Sequence, residues 1–359
     1  MRKKVKLMDR CVYCIRPSSH KGISFNREGV CNFCVNYEKR WGGFLHDEEA
    51  RAAIQASIRD VLWKKSKENK KYHVLVGMSG GKDSVFALHI CREEHNLNVL
   101  TYTMDSPFLT AHARDNIQRA VNLYDVDHVW TQAPPLEMFR HFMLKTGKVC
   151  YPCNLSIMLP IRRLSHQHGI NLVITGGSTL RDGLDPDGVT PGFFRNIMRE
   201  SSDQDLRKIG DAWYRESVRT MASVLIGRPR LILLGSYFEG TEKDRSAMLE
   251  REFGFSFGHE HSDCELHDLA SYCGLLKYGF TLKMSKYSKA ILADTLDRAE
   301  ALRLIEEEND YLRTFPDSIV VALDRLGVTK EQVKVVNTDH YYRDIMSKAV
   351  MWYRRRNYL

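Results

Sequence analysis

The stretch from His73 to Cys91 constrains this chain more than any other. An apolar, β-branched run, His73-Val-Leu-Val-Gly-Met, meets Ser79-Gly80-Gly81-Lys82-Asp83-Ser84, and apolar residues then recur at helical spacing through Cys91. The pattern predicts a buried strand, a tight turn and a helix. Such a turn suits an anion: two glycines let the backbone approach a phosphate, the first N–H groups of the helix lack intrahelical partners, and the helix dipole adds positive potential. Lys82 and the hydroxyls of Ser79 and Ser84 add donors.

The spacing is not that of the nucleotide loop with four residues between its first glycine and Gly-Lys, which disfavours a kinase or GTPase. The six residues Ser79 to Ser84 resemble the pyrophosphate loop of the PP-loop ATP pyrophosphatases, a family that includes tRNA thiolases, lysidine synthetase and sugar amidotransferases. The resemblance implies that Ser79, Gly80, Gly81, Lys82, Asp83 and Ser84 bind ATP with Mg2+, with Lys82 and Asp83 catalytic. It further implies that the enzyme adenylates a substrate oxygen, releases pyrophosphate, and lets nitrogen or sulfur displace AMP. A Gly-rich turn that holds no ligand is the bland alternative.

At 359 residues with 43% hydrophobic content, the composition is that of a soluble globular chain with room for a large domain and appendages. No apolar run approaches a membrane span, and the basic start lacks a signal-peptide core, so a cytoplasmic location and no membrane partner are expected. The net charge of +8 is compatible with a polyanionic partner without requiring one.

Nine cysteines in a chain expected in the cytoplasm suggest metal or catalytic thiols before disulfides. Cys11-Val-Tyr-Cys14 and Cys31-Asn-Phe-Cys34 are two pairs that can set four sulfurs around one structural Zn2+. An iron centre, or reduced cysteines that bind nothing, are the alternatives. With four cysteines at hand, His20 reads as a surface loop residue. Ala52, Ala53, Ile54, Ile58, Val61, Leu62 and Trp63 predict a helix with one apolar face, and the polar run Lys64 to Lys71 predicts a linker.

From Tyr72, apolar runs at 98–105, 127–132, 171–177 and 230–236, separated by helical patterns, predict an α/β fold with a doubly wound parallel sheet covered on both faces. Ligands of such sheets lie beyond the carboxyl ends of the strands, where Ser79, Asp105, Gly176 and Gly177 fall. The family resemblance places Asp105 near the adenosine and Gly176 and Gly177 in the nucleotide pocket; a helix cap and a plain turn are the structural alternatives.

Cys150-Tyr-Pro-Cys153 precedes a predicted helix over 155–168, and Cys264 follows much later among His259, His261 and His267. The arrangement is similar to that of PP-loop thiolation enzymes, where a cysteine pair after the third strand and one downstream cysteine hold a 4Fe-4S cluster with an open iron. By that resemblance Cys150, Cys153 and Cys264 are both cluster ligands and catalytic. Persulfide chemistry on the bare thiols, or a second zinc completed by His259, His261 or His267, remain open. Cys91 and Cys273 read as core residues. Residues 180–208, rich in Gly and Pro, read as a long loop whose Arg181, Arg195 and Arg199 face an anionic substrate or solvent.

At whole-chain scale the cysteine finger, the glycine turn and the segment from Tyr278 to Glu306 resemble N-acetyl sugar amidotransferases, which take ammonia from a glutaminase partner but lack the Cys150/Cys153 pair. That departure selects sulfur transfer onto a small-molecule or tRNA acceptor, with a cysteine desulfurase or sulfide as donor; amidation is the alternative, and a nucleotide-sensing binding module is the non-enzymatic one. The organisation expected is a zinc-ribbon-like module at 1–40, a helix and linker at 41–71, the ATP pyrophosphatase domain at 72–275 and a helical region at 276–359. There, Thr281 to Glu308 reads as an amphipathic helix, and Gly327 precedes a further one. The tail from Tyr341 to Tyr358 interleaves aromatics with arginines, suited to stacking on bases or to docking as a helix. A homodimer is left open.

Overall fold

A computed structural model describes residues 9–182, 190–237, 242–257, 263–343 and 347–348. Helices α1 (Asn32–His46) and α2 (Glu48–Ser66) precede β1 (Val74–Gly77), and α3 (Lys82–His89) follows the glycine turn. Then come β2 (Val99–Met104), α4 (Ala111–Leu123), β3 (Asp127–Thr131), α5 (Leu136–Thr146), α6 (Tyr151–Ser156), α7 (Leu159–Gln167) and β4 (Leu172–Thr175). The rest is α8 (Pro191–Arg199), α9 (Gln204–Leu225), β5 (Arg230–Leu233), α10 (Glu242–Phe253), α11 (His267–Tyr278), α12 (Lys283–Leu292), α13 (Arg298–Arg313) and α14 (Asp317–Leu326).

The five strands form one parallel sheet in the order β3-β2-β1-β4-β5. Alternation along the strands divides the core. Val74, Val76, Leu172 and Ile174 pack one face against Leu62, Val85, Leu88 and Ile117; Leu75, Leu100 and Val173 pack the other against Ile161 and Leu164. Each such side chain contributes about 1.5–3 kcal/mol by leaving water. The fold is therefore the expected α/β sheet with helices on both faces.

Several local expectations are corrected. The helix expected over 155–168 is two, α6 and α7, because Pro160 in the first turn of α7 has no N–H to continue a helix through it. Where 180–208 reads as loop, Thr190 caps α8 by accepting from the Phe193 N–H, Pro191 opens the helix, and Asp203 caps α9. Gly183, Pro186 and Gly188 of that stretch lie outside the described residues. The helix expected from 281 to 308 breaks between α12 and α13, where Asp294 takes a φ of 54° and Asp297 caps the second segment. Gly327 ends α14 in the left-handed conformation, and the further helix expected after it is one 3-10 turn, Lys330–Gln332. Of the apolar face read on α2, only Leu62 is buried, and Trp63 is 56% exposed. The run read as a linker begins inside α2, and the borders at 40/41 and 275/276 fall within α1 and α11.

Candidate active site

The strand order reverses at β1, with β2 on one side and β4 on the other, so the carboxyl ends of β1 and β4 flank the natural ligand crevice. The glycine turn leaves β1 at this point. Gly80 has a φ of 80°, and a side chain there would meet the backbone of Ala113. Ser84 Oγ donates to the Gly81 carbonyl at 2.8 Å and accepts from the Ser79 N–H at 3.2 Å, which closes the turn on itself. Gly176, just past β4, lies so close to the first turn of α3 that an added Cβ would stand 2.7 Å from the Ser84 nitrogen and press on the Asp83 carbonyl. Ser79, Gly80, Gly81, Lys82, Asp83, Ser84, Gly176 and Gly177 thus occupy one crevice edge. Asp83 sits 3.9 Å from Lys82 Nζ and 3.5 Å from Nη2 of Arg245.

Asp105 leaves the end of β2 exposed, its N–H donating to the Thr131 carbonyl and its carboxylate 2.6 Å from Arg114. It is not the cap of α4, a role Thr110 takes. Beyond Gly177, Asp182 accepts from the Ser178 N–H at 2.6 Å, and burial followed by the nearby Asp83 charge pushes its carboxyl up. Lys289 of α12 donates to the Thr179 and Asp182 carbonyls at 3.0 and 2.8 Å, and burial brings it down to about 7. Tyr37 of α1 donates to the Leu180 carbonyl at 3.1 Å. The segment after β4 is therefore held by Tyr37 of α1 and Lys289 of α12. Sequence reasoning missed Asp182, Lys289 and Arg245, for which no motif exists.

Cys150 stands at the N-cap of α6 and Cys153 in its first turn, beside Pro152. Cys264 bridges antiparallel to Leu109 in the segment after β2, between hydrogen bonds Thr110 N to Asp263 O (3.2 Å) and Glu265 N to Phe108 O (3.0 Å). One residue earlier, a carboxylate oxygen of Asp263 lies 3.7 Å from where Gly81 would carry a Cβ. Ser106 Oγ is 4.0 Å from Cys153 Sγ. Burial and then the charge of Cys264 push Cys153 up to about 12; burial does most to push Cys264 up to about 11. All three cysteines border the cluster of Phe108, Phe139, Val149 and Leu266. His259 and His261 lie outside the described residues, and His267 opens α11. Cys91 and Cys273 are buried among apolar side chains.

Among the described residues, Cys11, Cys14, Cys31 and Cys34 are the group of histidines, cysteines and acids whose ligand atoms all lie within 4.8 Å of one another. Their sulfurs stand 3.4, 3.8 and 3.9 Å apart along three edges, close to the edge of about 3.8 Å set by a Zn–S bond of about 2.3 Å in a tetrahedron. Hydrogen bonds among the four sulfurs do most to lower Cys14 and Cys31 and to raise Cys11 and Cys34, so the four titrate as one tightly coupled group. Arg298 of α13 donates to the Cys14 and Cys11 carbonyls, tying this module to the C-terminal helices. The purified chain is expected to carry one zinc, and Cys11→Ser with Cys31→Ser should remove it and loosen the wall that Tyr37 supports. Metal analysis checks this; undiminished zinc in the double variant contradicts it.

The expectation about His20 fails, and the three arginines have local partners. His20 is no surface residue: it is 5% exposed, stacked on Phe280 at 5.4 Å and edge-on to Phe33, and burial lowers it to about 4. Arg195 and Arg199 turn to Asp211 at 2.9 and 3.6 Å, and Arg181 donates to the Gly235 carbonyl. Local carboxylates and carbonyls thus engage the arginines expected at an anionic substrate.

No described helix is long and apolar enough to cross a membrane. No family model matches the chain. An uncharacterized protein of Methanocaldococcus jannaschii is 27% identical over 169 residues, which span 46% of this chain and 58% of that protein. Among solved structures, the U34-tRNA thiolase of Methanococcus maripaludis with its 4Fe-4S cluster is similar at a TM-score of 0.33 and 14% identity, over 84% of this chain and 89% of that one.

Proposed function

We propose that the chain uses ATP to activate a substrate oxygen and then replaces that oxygen with sulfur. The observation that carries this reading is the segment Asp263-Cys264. Its aspartate carboxylate lies 3.7 Å from where Gly81 would carry a Cβ, and its cysteine borders the same apolar cluster as Cys150 and Cys153, which supports the glycine turn and the three thiols serving one site.

In the first step the substrate oxygen attacks the α-phosphorus of ATP, the bond to the bridging oxygen breaks, and pyrophosphate leaves. The start of α3, at the positive end of its helix dipole, and Lys82 meet the charge that grows on the leaving oxygen. Asp83, Asp182 and Asp263 are the carboxylates at this edge, the donor type that the Mg2+ travelling with ATP accepts. In the second step sulfur adds to the activated carbon and the C–O bond breaks, so the original oxygen departs on AMP.

The thiols fit a 4Fe-4S cluster in their chemistry. They are soft ligands from two separate segments, and among the described residues their three sulfurs do not all lie within 4.8 Å of one another as those of Cys11, Cys14, Cys31 and Cys34 do. Cys150, Cys153 and Cys264 would hold the cluster, which when bound supplies the sulfur nucleophile. Burial keeps Cys153 and Cys264 protonated at neutral pH in the bare chain, which weakens a reading as free nucleophiles. The acceptor is a tRNA or a small molecule, and the sulfur comes from a cysteine desulfurase or from sulfide, in the cytoplasm.

Given ATP, sulfide and a tRNA pool under anaerobic conditions, the protein should release AMP and pyrophosphate in equal amounts. ADP and phosphate as the products overturn the reading.

A further inference from the structure

Arg16, two residues past the first cysteine pair, is 4% exposed. Its Nη1 donates to Cys14 Sγ at 3.7 Å and its Nη2 to Ser285 Oγ of α12 at 3.2 Å, while the guanidinium carbon stands 5.0 Å from the centre of the Phe33 ring. Its Nε is buried and finds no acceptor among the described residues. No described carboxylate forms an ion pair with it. Burying a guanidinium away from any opposite charge is strongly unfavourable. A serine hydroxyl and a ring face offset that only in part.

The remaining neighbour is sulfur. The backbone N–H of Arg16 also donates to Cys14 Sγ, at 3.5 Å, so one residue aims two donors at one atom. The Cys31 N–H donates to Cys11 Sγ at 3.3 Å across the finger. A neutral thiol is a weak acceptor, whereas a thiolate on a divalent metal is a charged one. Four thiolates around one Zn2+ leave a surplus of two negative charges, here in a site whose cysteines are all buried. Such a centre needs positive charge beside it, and Arg16 places a cation in contact with a sulfur. Arg298 brings a second one to the same knuckle through the Cys14 and Cys11 carbonyls, at 3.2 and 3.1 Å.

We infer that Arg16 is the counter-charge of a metal–tetrathiolate centre: its guanidinium offsets the surplus negative charge at Cys14 and sets how tightly the metal is held. The inference rests on the zinc reading of the finger and is independent of the ATP reading. It also separates a metal centre from four neutral thiols, which would leave this guanidinium buried with no partner of opposite charge.

The test is competition for Zn2+ between the full chain and a chromophoric chelator, with Co2+ loaded in parallel as a spectroscopic probe. Arg16→Met keeps much of the buried stem without the charge and should weaken Zn2+ binding by about ten- to a hundredfold, the scale of losing a group that bonds to a metal ligand. It should also move the thiolate-to-Co2+ charge-transfer band to longer wavelength, because a thiolate that loses its donor holds its electrons less tightly. Arg16→Lys keeps charge but not the fork and should lose less in both measurements. Ser285→Ala removes only the bond to α12 and should leave Zn2+ affinity nearly unchanged. Should Arg16→Met fail to fold, Arg16→Lys against Ser285→Ala decides by the same two readouts. Unchanged Zn2+ affinity in Arg16→Met overturns the assignment. An unmoved Co2+ band, or an equal loss in Ser285→Ala, also overturns it, marking a residue that only docks the finger on α12. A wild-type chain that binds neither metal overturns the zinc reading itself, and the role of Arg16 falls with it.

Discussion

Gly176→Ala should abolish ATP binding and destabilise the fold by about 1–3 kcal/mol, the range for overpacking a tight site. The added methyl would meet the backbone at Asp83 and Ser84, which cannot rotate away as a flexible side chain would. Nor can the strand end retreat, because Gly235 sits directly behind: its own missing Cβ would fall 2.9 Å from the Gly176 carbonyl carbon. The first turn of α3 must therefore move, and with it the N–H groups that define the anion site. A displacement of about 1 Å at reacting groups costs roughly a hundredfold in rate. Gly43, inside α1 with open space around it, is the control, and Gly43→Ala should be neutral or slightly stabilising. ATP titration and denaturant unfolding read both effects. Wild-type ATP affinity in Gly176→Ala would show that the β4 end is not part of the nucleotide crevice.

Cys264→Ala should lower sulfur incorporation by at least about a thousandfold, the scale of losing a nucleophile-bearing group, while ATP affinity stays within about twofold. The separation follows from how Cys264 is held. Its place beside Leu109 depends on backbone hydrogen bonds made by Asp263 and Glu265, so removing the sulfur leaves the segment, and Asp263 at the turn, where they are. Cys153→Ala should match it, since Cys153 and Cys264 border the same apolar cluster and are proposed to hold the same sulfur-bearing centre. Radiolabelled sulfide incorporated per chain, measured beside ATP titration, checks the pair. Joint loss of ATP binding would mean that the cysteines serve the fold, and sulfur transfer surviving in both variants would mean that they serve neither.

The sheet was legible because its strands are short apolar runs punctuated by Gly and Asp, and a parallel sheet buried on both faces leaves that trace in any order of strands. The glycine turn was legible for a similar reason, since Ser79 to Ser84 is local. Helices α8 and α9 were hidden by their own start signals: Thr190-Pro191 and Asp203 are caps, but among so many glycines and prolines they read as loop. His20 shows the opposite failure. Its burial comes from Phe280, 260 positions away, which no local pattern announces. The same holds for Arg245, Asp182 and Lys289, which reach the crevice from distant helices and loops. Cys150, Cys153 and Cys264 could be grouped only through resemblance, because nothing in their spacing says that 263–265 pairs with 108–110.

The account stands or falls on those three thiols acting together, and one measurement addresses that directly: iron and acid-labile sulfide per chain after anaerobic reconstitution, with zinc determined in the same sample. The account predicts about four irons and four sulfides per chain, expected of a 4Fe-4S centre. It also predicts broad absorption near 400 nm, roughly where thiolate-ligated clusters absorb, and that Cys150→Ser, Cys153→Ser or Cys264→Ser removes the iron and leaves the zinc. A colourless wild-type protein with no more iron than the variants would contradict it.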